Sequence, residues 1–259
     1  MYHFSLFIFN HLKTSLLFIL VSFMAFLFAV SDSYGQAKNP LAADMLYNYF
    51  NTLYKLDQNL INGIKYYKPR EAISGNEFFL EEKSSRGKIT VNGKEYANVF
   101  LKYDIVNQDV ILEYDYPPGG KLQIVIDDEK VSEFEIFDKT FRKYYFPVTG
   151  SQFFQTISAG NQVCLIHWKK ILIPNGSSLQ YTYKYSEEKK KTYLLRQDQL
   201  FQFGGQKSFL KLFPEFRNEI KQYLTRYNLD LRNISDKNLA GLLGFCNDLS
   251  SNDSKGTIQ

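Results

Sequence analysis

The stretch KITVNGKEYANVFLKYD, Lys88 to Asp104, decides the fold. Apolar and polar residues alternate on both sides of Asn92-Gly93. A period of two belongs to a strand, whose side chains point to opposite faces in turn. Asn-Gly between two such runs is the strongest short-range hairpin signal, because both residues tolerate the positive φ of a type I′ turn. The stretch therefore reads as two antiparallel strands.

The same pattern continues for another hundred residues. DVILEYDY (109–116) follows, then Pro117-Pro118-Gly119-Gly120 as a turn. KLQIVID (121–127) and VSEFEIFD (131–138) flank the polar turn Asp128-Glu129-Lys130. FRKYYFPV, FFQTISA, VCLIHWKKILI, LQYTYKYS and TYLLRQDQLFQF carry the series to Phe203. Gly150-Ser151, Gly160-Asn161, Pro174-Asn175-Gly176 and the charged run Glu187 to Lys191 separate them. That run reads as a solvated hairpin tip. Short links without crossover helices imply an antiparallel meander of about ten strands over 87–203. Open twisted sheets of that length tend to curl, so the sheet is expected to be curled or barrel-like. Aromatic content of 17%, with 19 Tyr and 23 Phe, favours pleated half-buried surfaces and excludes a disordered chain.

Helical spacing brackets this β region. Leu41, Met45, Leu46, Tyr49, Phe50, Leu53, Leu56 and Leu60 share one face of a helix over 40–62, which Gly63 ends. Beyond Gly204-Gly205, an apolar stripe runs from Phe209 to Tyr227, with a helix starting at Pro214. Ser235 is a suitable N-cap for a second C-terminal helix reaching about Cys246. Residues 250–259 read as a disordered tail. The fold class is mainly β with flanking helices (α+β), in one domain over 36–249.

Residues 1–35 have another character. Lys13 is their only Lys or Arg, an uncharged run follows from Ser15 to Val30, and Ser33 and Gly35 precede Gln36. This is the anatomy of a secretory signal peptide. The run is shorter than the about 20 residues a spanning helix needs. The expectation is export to the periplasm or extracellular space, with no integral membrane span after cleavage.

Few residues carry chemistry. Net charge is +4, spread among acids, which gives no reason to expect a nucleic-acid partner. His3 and His11 fall in the leader, so His167 is the one histidine of the mature chain. Cys164 and His167 stand three apart on a strand and point to opposite faces, which disfavours a shared ion. His167 reads as a structural strand histidine. Cys164 and Cys246 are the only cysteines, and an even count in an exported chain allows a disulfide between them. The alternative is two buried free thiols. The carboxylates lie on turns, where they cap their own backbone. Catalytic, cofactor-binding and metal-binding motifs are absent.

GKITVNGKEYANVFLKYDIVNQDVIL (87–112) carries a spaced set: Gly93, Tyr96, Asn98-Val99, Leu101, Tyr103-Asp104 and Asp109-Val110. Together with LFPEFRNEIKQYL (212–224) and LLGFCN (242–247), it resembles uncharacterised exported β-rich proteins of Gram-negative bacteria. The resemblance implies export and fold, and no activity comes with it. Three functions are weighed. The first is a non-enzymatic envelope protein that binds another macromolecule or surface component, or is structural. The second is a barrel-like carrier of an apolar small ligand, recognisable by a cavity lined with Phe and Tyr. The third is a hydrolase, recognisable by two carboxylates converging in a cleft.

Overall fold

Asn92 and Gly93 adopt φ of 51° and 77°, so the type I′ turn at the head of the sequence pattern is formed. The structure is a computed structural model that describes Met45 and residues 57–69, 72–116, 119–177 and 179–256, with side chains to Ser251. Two compact units divide the chain, Met1–Phe50 and Asn51–Gln259. Only the helical Met45 of the first is among the described residues.

The second unit begins with β1 (Gly63–Lys65), β2 (Ile73–Ser74), β3 (Ser85–Val91), β4 (Lys94–Asp104), β5 (Asp109–Tyr116) and β6 (Gly120–Ile126). A 3₁₀ turn at Asp128–Lys130 leads to β7 (Val131–Ile136), β8 (Lys139–Phe146), β9 (Gly150–Ala159) and β10 (Gln162–Lys169). Then come β11 (Leu172–Pro174), β12 (Tyr183–Tyr185), β13 (Lys189–Arg196) and β14 (Gln199–Phe203). Helices α1 (Gln206–Leu210), α2 (Arg217–Arg226) and α3 (Asp236–Gly256) complete it. The main sheet has 11 strands in the order β1-β6-β5-β4-β3-β7-β8-β9-β10-β13-β14, all antiparallel. A second sheet has the order β11-β12-β2.

The order departs from a pure meander at one point. β7 pairs with β3 and not with β6. In a flat sheet β6 and β7 would stand four strand spacings apart, roughly 19 Å. The link between them is only Asp127 to Lys130, most of it wound into the 3₁₀ turn. The sheet must therefore curl sharply, which brings Ile124 and Ile126 into one core with Val91 and Val131. It does not close. β1 and β14 are its two edges, so the barrel form of the expected curl is not adopted among the described residues.

Two residues let the strands follow this curl. Asn98 sits at φ 57° as the extra residue of a bulge, where Gly87 pairs with Val99 and Lys88 with Ala97. The bulge keeps Tyr96 and Val99 on the core face despite their odd spacing. At Gly87 a Cβ would lie 1.9 Å from the backbone oxygen of Glu135, so only glycine permits β3 to pair with β7 there.

One face of the sheet carries two consecutive cores. The first holds Phe79, Tyr103, Phe134, Phe141 and Phe153 with Leu60. The second holds Ile157, Cys164, Ile166, Leu194 and Phe203 against Phe209, Phe213, Ile220, Leu224, Leu239 and Cys246 of the helical region. Trp168 packs against both. The stripe read from Phe209 onward thus covers the C-terminal half of the sheet. On the opposite face, Phe146, Phe154 and Leu165 form a third, smaller cluster.

Several boundaries differ from expectation. Of the helix expected over 40–62, residues 40–44 and 46–56 lie outside the described set. Residues 57–62 form a turn, in which Leu60 N and Ile61 N donate to Asp57 O. Gly63 opens β1 by pairing with Ile126 and does not end a helix. Leu60 owes its apolar character to the sheet core, where it is fully buried. VCLIHWKKILI breaks at Lys170, whose backbone N donates to Ile105 O while its buried Nζ donates to Phe78 O at 2.6 Å. TYLLRQDQLFQF turns back on itself at Gln197 and Asp198, both at positive φ. The C-terminal region has three helices rather than two. Ser235 caps the last through Asn238 N, and that helix runs to Gly256. No helix among the described residues is long and apolar enough to cross a membrane.

Candidate functional site

β10 and β13 pair in a register that sets His167 opposite Lys191 and Lys169 opposite Lys189. Alternation puts all four on one face of the sheet, away from the helices. Lys190, between them, points the other way and lies over the Trp168 ring at 5.7 Å. The run Glu187 to Lys191 is therefore no hairpin tip. Its lysines open a strand and are sorted to two faces.

A cleft of about 270 Å³ forms there. Its walls are His167 and Lys169 from β10, Lys189, Lys191 and Tyr193 from β13, Thr149 from the turn before β9, Gln152 from β9 itself, and Lys170, Ile171 and Ser186. No carboxylate is among these described lining residues. Glu188 is drawn elsewhere, accepting from Leu80 N at 2.6 Å and pairing with Lys170 at 3.6 Å. Among the described residues, Lys169, Lys189 and Lys191 have no ion-pair partner.

His167 rests against Phe154, ring centroids 5.4 Å apart. Its Nε2 is buried and has no hydrogen-bond partner. Burial, reinforced by Lys169 and Lys191, holds the imidazole below its ordinary pKa and therefore neutral. Leaving a buried polar nitrogen unpaired is costly. The cleft thus gathers lysines in one wall with a histidine whose buried ring nitrogen is unpaired, an arrangement suited to an anion. Sequence reading missed it because His167 and the lysines of β13 are far apart in the chain. The legible signal was period-two alternation through Lys189 to Lys191.

The carboxylates are arranged otherwise. Glu77 is 4% exposed and accepts from the Tyr66 hydroxyl. Asp104 is 2% exposed. It accepts from Val106 N, Asn107 N and Asn107 Nδ2 at 2.8–3.0 Å. Burial raises the Asp104 pKa, against the pull of those bonds. Both acids serve the junction of loop and strand and are shut off from solvent. Glu82 and Glu113 line a shallow open groove with Lys102, Lys121 and Phe100. The Lys68 hydrogen bond lowers the pKa of Glu82. Burial works to raise that of Glu113, but Lys121 and Gln123 outweigh it and leave it lowered. Neither acid is poised to give up a proton near neutrality. No group of three or more His, Cys, Asp or Glu among the described residues could hold a metal.

No family model, curated protein or solved structure matches this chain. The likeness of residues 87–112 to exported proteins therefore stays a resemblance.

Cys164 and Cys246 are both free thiols in the structure, and both are buried. They sit in the same core as separately packed small apolar groups. Burial pushes both thiols up to about 12, which leaves almost no thiolate for exchange or nucleophilic attack.

Proposed function

We propose that this is an exported envelope protein that works by binding another macromolecule or surface component, without catalysis. The observation that carries the reading is the filled interior of the curled sheet. Phe79, Tyr103, Phe134, Phe141 and Phe153 are each at most 2% exposed. Their rings interlock at centroid distances of 4.9–6.2 Å. A carrier of apolar ligands needs an apolar cavity of several hundred Å³ in that position. Here the rings take up the space themselves, and the clefts described above are lined by charged side chains at the surface. A hydrolase of the two-carboxylate kind needs one acid with a raised pKa beside a second in an accessible cleft. Glu82 and Glu113 are both lowered, which speaks against that reading for the groove they line. Export rests on the character of residues 1–35.

A neutral fluorescent apolar probe such as N-phenyl-1-naphthylamine tests the choice between module and carrier. The module is expected to show no saturable enhancement. Stoichiometric, displaceable binding would transfer the protein to the carrier class.

A further inference from the structure

We propose that the cleft around His167, Lys169, Lys189 and Lys191 is a binding site for a phosphomonoester group. It extends the reading as a binding module, but it stands on separate observations.

The first is the register. Like charges directly opposite on one face of a sheet are destabilising. Lys169 and Lys189 are opposed in this way, and Lys191 stands opposite His167. Elsewhere on the same sheet Lys88, Lys94, Lys121, Lys139 and Lys143 each sit against a carboxylate. In the cleft, Lys169, Lys189 and Lys191 have no such carboxylate among the described residues, and only Lys170 is paired, with Glu188. The second observation is the buried His167 Nε2 without a partner, in the wall of the same cleft. Together they describe a site built for negative charge brought from outside.

The donor set selects the class of anion. Arginine forks suit planar carboxylates, whereas lysine ammonium groups act as point charges for phosphate. All cations here are lysines. Lys169, Lys189 and Lys191 come from two strands, and Thr149 and Gln152 add hydroxyl and amide groups from the turn before β9 and from β9 itself. Donors from several sides fit a tetrahedral oxyanion with about two charges. A volume of about 270 Å³ leaves room beyond the oxyanion for the polar group that bears it. The lysines of this cleft line a single pocket of that size, which fits a terminal phosphoryl group.

The test uses the full chain without a histidine tag and follows the imidazole resonances of His167 by NMR. Its charged surroundings are Lys169 on β10, Lys189 and Lys191 on β13, and Lys170 with its partner Glu188; Tyr193 on β13 is titratable but neutral, and Gln152 and Phe154 on β9 are uncharged. Added inorganic phosphate is expected to shift the His167 signals saturably and to raise its pKa. Lys169→Gln and Lys191→Gln, each checked for an unchanged melting temperature, are expected to weaken binding roughly tenfold, the worth of a charge-assisted hydrogen bond. Glycerol phosphate and phosphatidylcholine vesicles with or without phosphatidic acid separate the sources. Tighter binding to the phosphatidic acid vesicles assigns a lipid headgroup, and preference for glycerol phosphate assigns a soluble ester. The proposal is overturned if phosphate leaves His167 unmoved. It is also overturned if chloride at equal ionic strength gives the same shift, or if the lysine variants bind phosphate as tightly as the parent. None of these results depends on the apolar-probe measurement.

Discussion

Trp168 donates its indole Nε1–H to the side-chain oxygen of Gln155 at 2.8 Å. This bond lies where the two cores of the sheet meet. The amide of Gln155 in turn donates to Asp236 Oδ2 at 2.7 Å, and Lys139 also pairs with Asp236. Asp236 opens α3, where a negative charge is favourable. Gln155 is 1% exposed, so both polar atoms of its amide depend on Trp168 and Asp236. The relay pins the last helix to both halves of the sheet.

Gln155→Leu should therefore destabilise the fold by about 2 kcal/mol, because it strands the indole N–H and one bond of Asp236. Urea unfolding followed by circular dichroism measures this. Trp168→Phe in the Gln155→Leu background should cost less than it does alone, with a coupling of about 1 kcal/mol. Strict additivity would mean that the bond contributes nothing.

Two glycines at positive φ should respond differently to alanine. At Gly93 nothing lies within 4 Å of a new Cβ, so Gly93→Ala should cost only backbone strain, about 1 kcal/mol. At Gly160 the Cβ would meet the Asn247 side chain at 2.4 Å. That side chain also accepts from Asn161 N at 2.9 Å, which ties the β9–β10 turn to α3. Gly160→Ala should cost more than Gly93→Ala, and the excess should shrink in an Asn247→Ala background. Thermal melts of the four variants decide it.

Stability should depend on pH through His167. Its folded pKa lies below the ordinary value of 6.5. The unfolded chain then binds a proton that the folded chain refuses, so stability falls as pH drops through 6.5 toward the folded pKa. His167→Gln should remove that portion of the acid loss, seen as a flatter denaturation midpoint between about pH 7 and 5. An unchanged pH profile would place the imidazole in a wetter setting than its buried Nε2 implies.

Truncation after Gly204 strips the helices from Cys164, Ile166, Leu194 and Phe203. Each large side chain so exposed forfeits about 1.5–3 kcal/mol. Residues 36–204 should be insoluble or lack a cooperative melt. A soluble monomer with a sharp transition would mean that the helices are an appendage.

The parts of the fold legible from sequence were those with local causes. Asn92-Gly93 marks its turn by backbone chemistry, and alternation marks the strands. The stripe from Phe209 marks its own burial. What escaped had causes distant in the chain. The turn at Gln197-Asp198 contains no glycine, so TYLLRQDQLFQF read as one strand. Lys170 breaks the strand after His167 because carbonyls of Asn76 and Phe78 hold its ammonium group inside. Leu60 completed a helical pattern although it serves the sheet core. The cleft escaped for the same reason, since it exists only once β13 is laid beside β10.

Native mass spectrometry of the protein recovered from the envelope of expressing cells tests the account most directly. The predicted result is a chain beginning at or near Gln36 with no apolar molecule retained in stoichiometric amount. A tightly held lipid on every chain, or recovery only of the uncleaved form, would contradict an exported binding module with a filled interior.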